Sequence, residues 1–130
     1  MLAIDHFKSV NDTHGHEVGD AALKVFASVC SENLRGRDVL GRFGGEEFQL
    51  VLPGAQVSSL DAVFERLRTG LRAAAVPGMP PDARLSFSMG AVSLEAGATI
   101  EQAIHRADEA LYRAKADGRD RLTVASAQPL

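Results

Sequence analysis

Two adjacent carboxylates beside two glycines are the part of this sequence most suited to chemistry. The segment Gly44-Gly45-Glu46-Glu47 lies between apolar, strand-like stretches at 38–43 and 48–53. This pattern predicts a β-hairpin, because glycine adopts the positive φ of a tight turn and lets a ligand approach the main chain. Carboxylates at such a turn can hold Mg²⁺, which prefers oxygen ligands. On spacing alone, a solvated acidic turn explains the same residues equally well.

A lysine and an amide follow the first apolar run of the chain. Met1–Asp5 predicts the end of a buried strand, and the polar residues after it predict a loop with exposed backbone N–H groups. A strand end followed by such a loop and by Lys8 is suited to binding phosphate. Taken alone, Asn11 fits the role of a turn residue and Asp20 that of a helix N-cap. Either structural role is compatible with ligand binding by the same residue.

The remaining elements are predicted from apolar periodicity and from capping residues. The predicted helices cover 21–34, 58–71 and 99–118, the last of them beginning at a capping box, Thr99-Ile-Glu-Gln102. The further strands cover 85–94 and 121–125. The resulting order, β-α-β-β-α-β-α-β, predicts an α+β sandwich with helices packed on a mixed sheet.

The composition is that of one ordinary domain. The chain has 130 residues, of which 45% are hydrophobic, and a formal net charge of −3. Such a chain buries a core without disulfides or a structural metal, and the single cysteine, Cys30, favours a reducing, cytoplasmic location. The acidic balance argues against nucleic acid as a partner. No apolar run approaches the ~20 residues that a membrane-spanning helix needs.

Four ordered blocks of the sequence resemble the GGDEF domains, which are diguanylate cyclases. The blocks are Asp5–Asp12, Gly15–Asp20, Gly44–Phe48 in its Gly-Gly-Glu-Glu-Phe form, and Ala107–Arg119. The resemblance implies a palm-like mixed β-sheet similar to that of the nucleotidyl cyclases, over residues 1–125, with a tail at 126–130. It also implies the condensation of two GTP molecules into cyclic di-GMP and pyrophosphate, in bacterial second-messenger signalling.

The resemblance implies a role for each matching substrate-binding position. Asn11 and Asp20 would read the guanine, since an amide and a carboxylate together address its acceptor and its N–H donors. Lys8 and the main chain at Phe7 would contact the phosphates. Lys115 and Arg119, expected four apart on one helical face, would bind the terminal phosphates.

The resemblance also implies a divalent metal, Mg²⁺ or Mn²⁺. Glu46 and the carbonyl of Ile4 would hold it, Glu47 would support a second ion, and Glu46 would accept the proton of the attacking 3′-hydroxyl. The family's first strand normally ends in Asp-Ile-Asp, whereas this chain has Ala3-Ile4-Asp5, so one charged ligand is missing. Asp5 is the candidate substitute on the same side of an extended strand, roughly 6.6 Å further along at ~3.3 Å per residue.

Regulation and assembly are implied by two further features. Arg35 and Asp38 resemble the family's inhibitory site for cyclic di-GMP, although a lone pair of this kind is more often a surface ion pair. Catalysis implies a homodimer, since each domain would hold one GTP and two domains must meet. The alternative is a catalytically degenerate receptor for GTP or cyclic di-GMP. Ala3 favours it, as does the expected lack of the family's leading helices, which predicts an exposed apolar patch.

Overall fold

The computed structural model describes residues 1–125, and the predicted tail at 126–130 lies outside the described residues. Five strands, four α-helices and one short 3₁₀ turn follow each other along this part of the chain. They are β1 (Leu2–Ile4), α1 (Phe7–His14), α2 (His16–Glu32), β2 (Val39–Gly44), β3 (Glu47–Val51), the 3₁₀ turn (Val57–Ser59), α3 (Leu60–Ala73), β4 (Phe87–Ala91), α4 (Ile100–Ala116) and β5 (Leu122–Val124).

The five strands form one mixed sheet in the order β2-β3-β1-β4-β5. The central strand β1 is antiparallel to both β3 and β4, whereas β4 and β5 run parallel. Because successive strand residues point to opposite faces, Leu2 and Ile4 join a core with α2 and α3, while Ala3 faces α4. The predicted α+β architecture with helices on a mixed sheet is confirmed.

Aromatic side chains fix α2 and α3 to the first face of the sheet. The ring of Phe26 on α2 lies 5.1 Å from that of Phe48 and 5.4 Å from that of Phe87, centroid to centroid. Phe64 on α3 contacts Phe87 at 4.8 Å. Such tilted pairs add to the free energy gained by burying the rings. Cys30 is part of the same core, where burial raises the pKa of its thiol to about 12.

The second face of the sheet is covered by α4, which lies directly on β4. A side chain at Gly90 would overlap the main chain of Ala107 and Leu111, so this glycine permits the close approach. Met1 and Ala3 pack against the same two helix residues. The segment that directly follows α4 lies beside the end of β1, where the N–H of Asp120 donates to the Asp5 carboxylate.

The structure corrects the predicted loop after the first strand. Residues Phe7–His14 form α1, and α2 begins at His16, several residues before the predicted start. Periodicity does not reveal α1, because Val10 is its single buried residue. The capping box at Thr99 is confirmed, with the N–H of Gln102 donating to Thr99 Oγ1 at 3.1 Å.

The β2–β3 hairpin exposes three large apolar side chains, Val39, Phe43 and Val51. None of the helices within residues 1–125 has both the length and the apolar character needed to cross a bilayer.

Candidate functional site

Strand register brings the Gly-Gly-Glu-Glu turn to the end of β1. Glu47 lies opposite Ala3 and Phe48 lies opposite Leu2 in the antiparallel β1–β3 pair. Since the two strands run in opposite directions, the turn that carries Glu46 lies at the same end of the sheet as Ile4. The acidic turn, the end of β1 and the start of α1 therefore meet at one edge.

The hairpin itself is confirmed, with Gly44 paired to Glu47 across a two-residue turn. Gly45 has a φ of 45°, which a residue with a side chain rarely adopts. Arg42 stabilises this turn, because its Nε and Nη2 donate to the carbonyl oxygen of Gly45 at 3.0 and 2.7 Å. The sequence prediction missed this role for Arg42. The signal in the sequence is the position of an arginine three residues before Gly45, whose carbonyl oxygen it reaches.

The proposed phosphate-binding segment is the N-terminus of a helix and not a loop. His6 takes the left-handed conformation, with φ 54°, and turns the chain from β1 directly into α1. No side chain caps this helix, so the N–H groups at Phe7 and Lys8 are not satisfied by a capping side chain. Unsatisfied donors and the helix dipole favour an anion here.

The packing of α1 against α2 places Asn11 against Gly19, the residue before Asp20. Asn11 Oδ1 lies against Gly19, and a Cβ at Gly19 would overlap it. This oxygen is buried and has no hydrogen-bond partner among the described residues. A buried acceptor without a donor is costly, and a ligand N–H could satisfy it. Asp20 is the residue after Gly19, and it is exposed.

Lys115 and Arg119 do not share a helical face as predicted. Helix α4 ends at Ala116, and Gly118, Arg119 and Asp120 have φ values of 126°, 62° and 48°. The N–H of Arg119 donates to the carbonyl oxygen of Ala114 at 2.9 Å, which closes the helix end. Arg119 therefore projects from a left-handed turn. Within residues 1–125, neither of the two cations forms an ion pair.

Asp5 is engaged by protein donors on both carboxylate oxygens. Ser88 Oγ donates to Oδ1 at 2.6 Å, and Ser86 Oγ and the N–H of Asp120 donate to Oδ2 at 2.7 and 3.0 Å. The residue is 5% exposed. Three of about four lone-pair sites are thus used, which argues against Asp5 as the substitute metal ligand.

The donor set for a divalent ion is consequently small. No three His, Cys, Asp or Glu side chains gather in a ligating arrangement anywhere in residues 1–125. Glu46 and Glu47 are partly exposed at the turn, and Ala3 supplies no ligand. Two carboxylates with a backbone carbonyl still fit Mg²⁺, because this ion takes its remaining ligands from substrate phosphates and water.

The Arg35–Asp38 pair forms a well-defined ion pair beside a cavity. Arg35 Nη2 and Nε donate to the Asp38 carboxylate at 3.0 and 3.3 Å, and the N–H of Arg35 donates at 2.8 Å. Hydrogen bonds from the Arg35 side chain lower the pKa of Asp38. The cavity, about 370 Å³ in volume, is also lined by Arg66 of α3. Sequence reasoning missed Arg66, since only the fold brings it to this pair.

Comparison with known proteins gives one consistent result. The family model described as "Diguanylate cyclase, GGDEF domain" matches residues 1–121. Diguanylate cyclase DgcP of Pseudomonas aeruginosa is 42% identical over 125 residues, which are 96% of this chain and 19% of DgcP. The chain therefore spans about a fifth of the length of this relative.

Solved structures agree with the sequence comparison. Diguanylate cyclase SiaD of Pseudomonas aeruginosa, in complex with its activator SiaC, superposes with a TM-score of 0.89 at 40% identity, covering 95% of this chain and 48% of that chain. The GGDEF domain of DgcB from Caulobacter crescentus, in complex with c-di-GMP, gives 0.88 at 32% identity, covering 97% and 75%. Because the family model matches residues 1–121 and these relatives align over nearly all of the sequence, this chain belongs to the GGDEF domain family.

Proposed function

We propose that this chain is a diguanylate cyclase domain, which condenses two GTP molecules into cyclic di-GMP and pyrophosphate. The observation that carries the proposal is the β1–β3 register, which brings Glu46 and Glu47 to the edge where α1 begins. Carboxylates beside an anion-binding helix N-terminus suit phosphoryl transfer, in which positioning and charge stabilisation supply most of the catalysis. Family membership over residues 1–121 supports the same function.

Guanine recognition is assigned to Asn11 and Asp20. The buried Asn11 Oδ1 lacks a donor among the described residues, and a guanine N–H would supply one. Asp20 adds a carboxylate acceptor next to Gly19, against which Asn11 packs. Adenine presents a different donor and acceptor pattern, so it would leave these groups unpaired and bind less well.

Phosphate binding is assigned to two cationic groups and one helix end. The N–H groups at Phe7 and Lys8 open α1, and the lysine ammonium adds a positive charge there. Lys115 on α4 and Arg119 after it would hold the terminal phosphates. Arginine suits this task, because its guanidinium can donate two parallel hydrogen bonds to a phosphate.

Glu46 is assigned the role of proton acceptor in the reaction. The 3′-oxygen of one GTP forms a bond to the α-phosphorus of the other, the bond from that phosphorus to the pyrophosphate oxygen breaks, and Glu46 takes the 3′-hydroxyl proton. A second such step closes the ring and releases a second pyrophosphate. Each chain would hold one GTP, so catalysis needs a homodimer.

Glu46, Glu47 and the Ile4 carbonyl are the groups that would hold Mg²⁺ or Mn²⁺. When bound, such an ion stabilises negative charge that develops on the phosphate oxygens. Because position 3 is an alanine, it provides no charged ligand. The Asp5 carboxylate already accepts hydrogen bonds from Ser86, Ser88 and Asp120. We therefore expect a slow cyclase that needs a high metal concentration.

The cavity beside Arg35 and Asp38 is the proposed site for the product, cyclic di-GMP. Arg66 and the Arg35 side chain supply positive charge at the cavity, which suits a dianionic ligand. Binding there would lower cyclase activity as product accumulates. The complex of the Caulobacter crescentus domain with c-di-GMP supports a product-binding role for domains of this kind.

The function is tested by incubating the purified chain with GTP and Mg²⁺ and measuring cyclic di-GMP and pyrophosphate by chromatography. We expect both products from GTP and none from ATP, and Glu46→Gln should abolish them. Gln49→Glu, on the same hairpin but outside the turn, is the matched control and should retain the activity.

The alternative function, a receptor without catalysis, is favoured by Ala3 and by the engaged Asp5. Calorimetry with GTP and with cyclic di-GMP separates the two functions. Binding of either nucleotide by a folded sample that makes no product would support the receptor. Product formation from GTP would exclude it as the whole function of the chain.

A further inference from the structure

One buried carboxylate connects three parts of the candidate site. Asp5 and Ser88 are the two buried polar residues within 1–125. Asp5 directly follows β1. Its main-chain N–H donates to the carbonyl oxygen of Ser86 at 2.9 Å, and its carboxylate accepts hydrogen bonds from Ser86, Ser88 and Asp120. A buried charge is tolerated only when it is paired or hydrogen bonded, so these bonds are needed. Asp5 thus joins β1, β4 and the chain after α4.

The segment after α4 has an unfavourable backbone conformation that these bonds stabilise. Arg119 and Asp120 are consecutive residues with side chains in the left-handed region, with φ values of 62° and 48°. Such residues persist only where surrounding contacts hold them. The N–H of Asp120 donates to Asp5, and the Asp120 carboxylate pairs with Arg68 at 2.8 Å and Arg72 at 3.2 Å.

This conformation determines where the Arg119 side chain leaves the chain. Arg119 is the residue before Asp120, whose N–H donates to Asp5. The N–H of Arg119 itself donates to the carbonyl oxygen of Ala114 and closes the end of α4. Asp5 also lies two residues before Phe7, where α1 begins. A single carboxylate therefore connects the residues that lead into α1 with the turn that carries Arg119, and these two segments hold the proposed phosphate-binding groups.

We propose that Asp5 is a positioning residue for phosphate recognition: by accepting the Asp120 N–H, it holds the left-handed turn that presents Arg119 to the terminal phosphates of the nucleotide. The proposal rests on the proposed function, because it takes GTP as the ligand of this site. It replaces a metal-binding role for Asp5, since its oxygens already accept hydrogen bonds from Ser86, Ser88 and Asp120.

The test measures the ratio of the affinities for GTP and GMP in EDTA, where a metal contributes nothing. Asp5→Asn removes the negative charge that strengthens these hydrogen bonds and leaves one side-chain oxygen as acceptor where there were two. We expect it to lower the preference for GTP over GMP about tenfold, which is the effect of losing ~1.4 kcal/mol. Asp12→Asn, the same loss of charge at an exposed position of α1, should leave the preference unchanged.

A double-mutant cycle shows whether Asp5 acts through Arg119. Arg119→Ala should also reduce the GTP preference, and Asp5→Asn should cost nothing further in that background. A general loosening of the fold would instead weaken GTP and GMP equally, or give additive losses, and either result overturns the proposal. If Asp5→Asn does not melt cooperatively, Ser88→Ala replaces it in the cycle, with an expected loss of about threefold in the same direction.

Failure of the proposed function is distinguishable from failure of this inference. A wild-type chain that binds GTP no better than GMP has no terminal phosphate site, which overturns both. A wild-type chain that prefers GTP, with an Asp5→Asn variant that keeps this preference, overturns the positioning role alone.

Discussion

At the scale of single residues, the site depends on one glycine as much as on its polar side chains. Gly19 has no Cβ, and Asn11 Oδ1 occupies the space where one would be. Helical propensity does not explain a glycine inside α2, because alanine there would favour the helix by about 1 kcal/mol. The glycine instead gives the Asn11 side chain room to pack against α2.

Gly19→Ala should therefore damage recognition of the base while leaving the fold intact. The added methyl group would force Asn11 to rotate away, so we expect the preference for GTP over ATP to fall at least tenfold. Competition binding with the two nucleotides measures this preference, and circular dichroism verifies the fold. Gly36→Ala is the matched control, since nothing lies within 4 Å of a Cβ there. An unchanged preference in Gly19→Ala would contradict the role of Asn11.

Ala3 is the residue that most limits the expected chemistry. It is fully buried and lies opposite Glu47 on the paired strand. In Ala3→Asp the new carboxylate would face that of Glu47. Without a metal the two negative charges repel each other and destabilise the strand pair, whereas with a bound metal the new carboxylate is a further ligand.

We expect Ala3→Asp to lower the melting temperature in EDTA and to recover stability with Mg²⁺. Supplying ~3–4 kcal/mol of transition-state stabilisation should raise the cyclase rate roughly 10²–10³-fold. Ala3→Asn, of similar size but without charge, should show neither the response to Mg²⁺ nor the gain in rate. If Mg²⁺ leaves the melting temperature of Ala3→Asp unchanged, position 3 is not part of a metal site.

At the scale of elements, the connection between α2 and β2 is stabilised by a charge. The Asp38 carboxylate accepts hydrogen bonds from Arg35, which also donates to the carbonyl oxygen of Pro53 at 3.1 Å. These contacts lower the pKa of Asp38 below its value in the unfolded chain. Its contribution to stability is therefore present above the unfolded pKa, about 3.9, and is lost as the pH falls through the folded pKa.

Asp38→Asn should accordingly make the chain less sensitive to acid. We expect the wild-type free energy of unfolding to exceed that of the variant at pH 7, and the difference to shrink as the pH falls below about 4. Urea unfolding between pH 3 and pH 7 gives both curves. A difference that stays constant over this range would show that the Asp38 charge does not stabilise the fold.

The sequence predicts elements well where the signal is local. The capping box at Thr99 marks the start of α4, and two glycines before Glu46 mark the hairpin turn. The sequence does not predict α1, because a helix with a single buried residue has no apolar stripe. No local sequence pattern indicates the left-handed conformation of His6 that begins this helix. Arg119 is misplaced for a different reason: the sequence already predicts a helix end at Gly118, and the four-residue spacing from Lys115 extends past this end.

The candidate site as a set of contacts depends on tertiary structure. The resemblance names Asn11, Asp20 and Glu46, but it gives neither the packing of Asn11 on Gly19 nor the bonds to Asp5. Arg66 reaches the Arg35 cavity from a different helix. Such contacts between residues distant in sequence follow from how the helices pack on the sheet.

At the scale of the whole molecule, the sheet brings the acidic turn, the start of α1 and the turn after α4 to one edge. The central strand β1 is hydrogen bonded to β3 and β4, so the acidic turn, α1 and the end of α4 are fixed relative to each other. Under the proposed function, one chain would bind one GTP at this edge. Formation of cyclic di-GMP would then need two chains to face each other across it.

The initial rate of cyclic di-GMP formation from GTP and Mg²⁺, measured as a function of chain concentration, shows most directly whether two chains catalyse the reaction together. If two chains must meet, the rate should rise with the square of the concentration while the homodimer is a minor species, and become linear once it predominates. Pyrophosphate should appear at two molecules for each cyclic di-GMP. A folded sample that binds GTP but forms no cyclic di-GMP at any concentration would contradict the account.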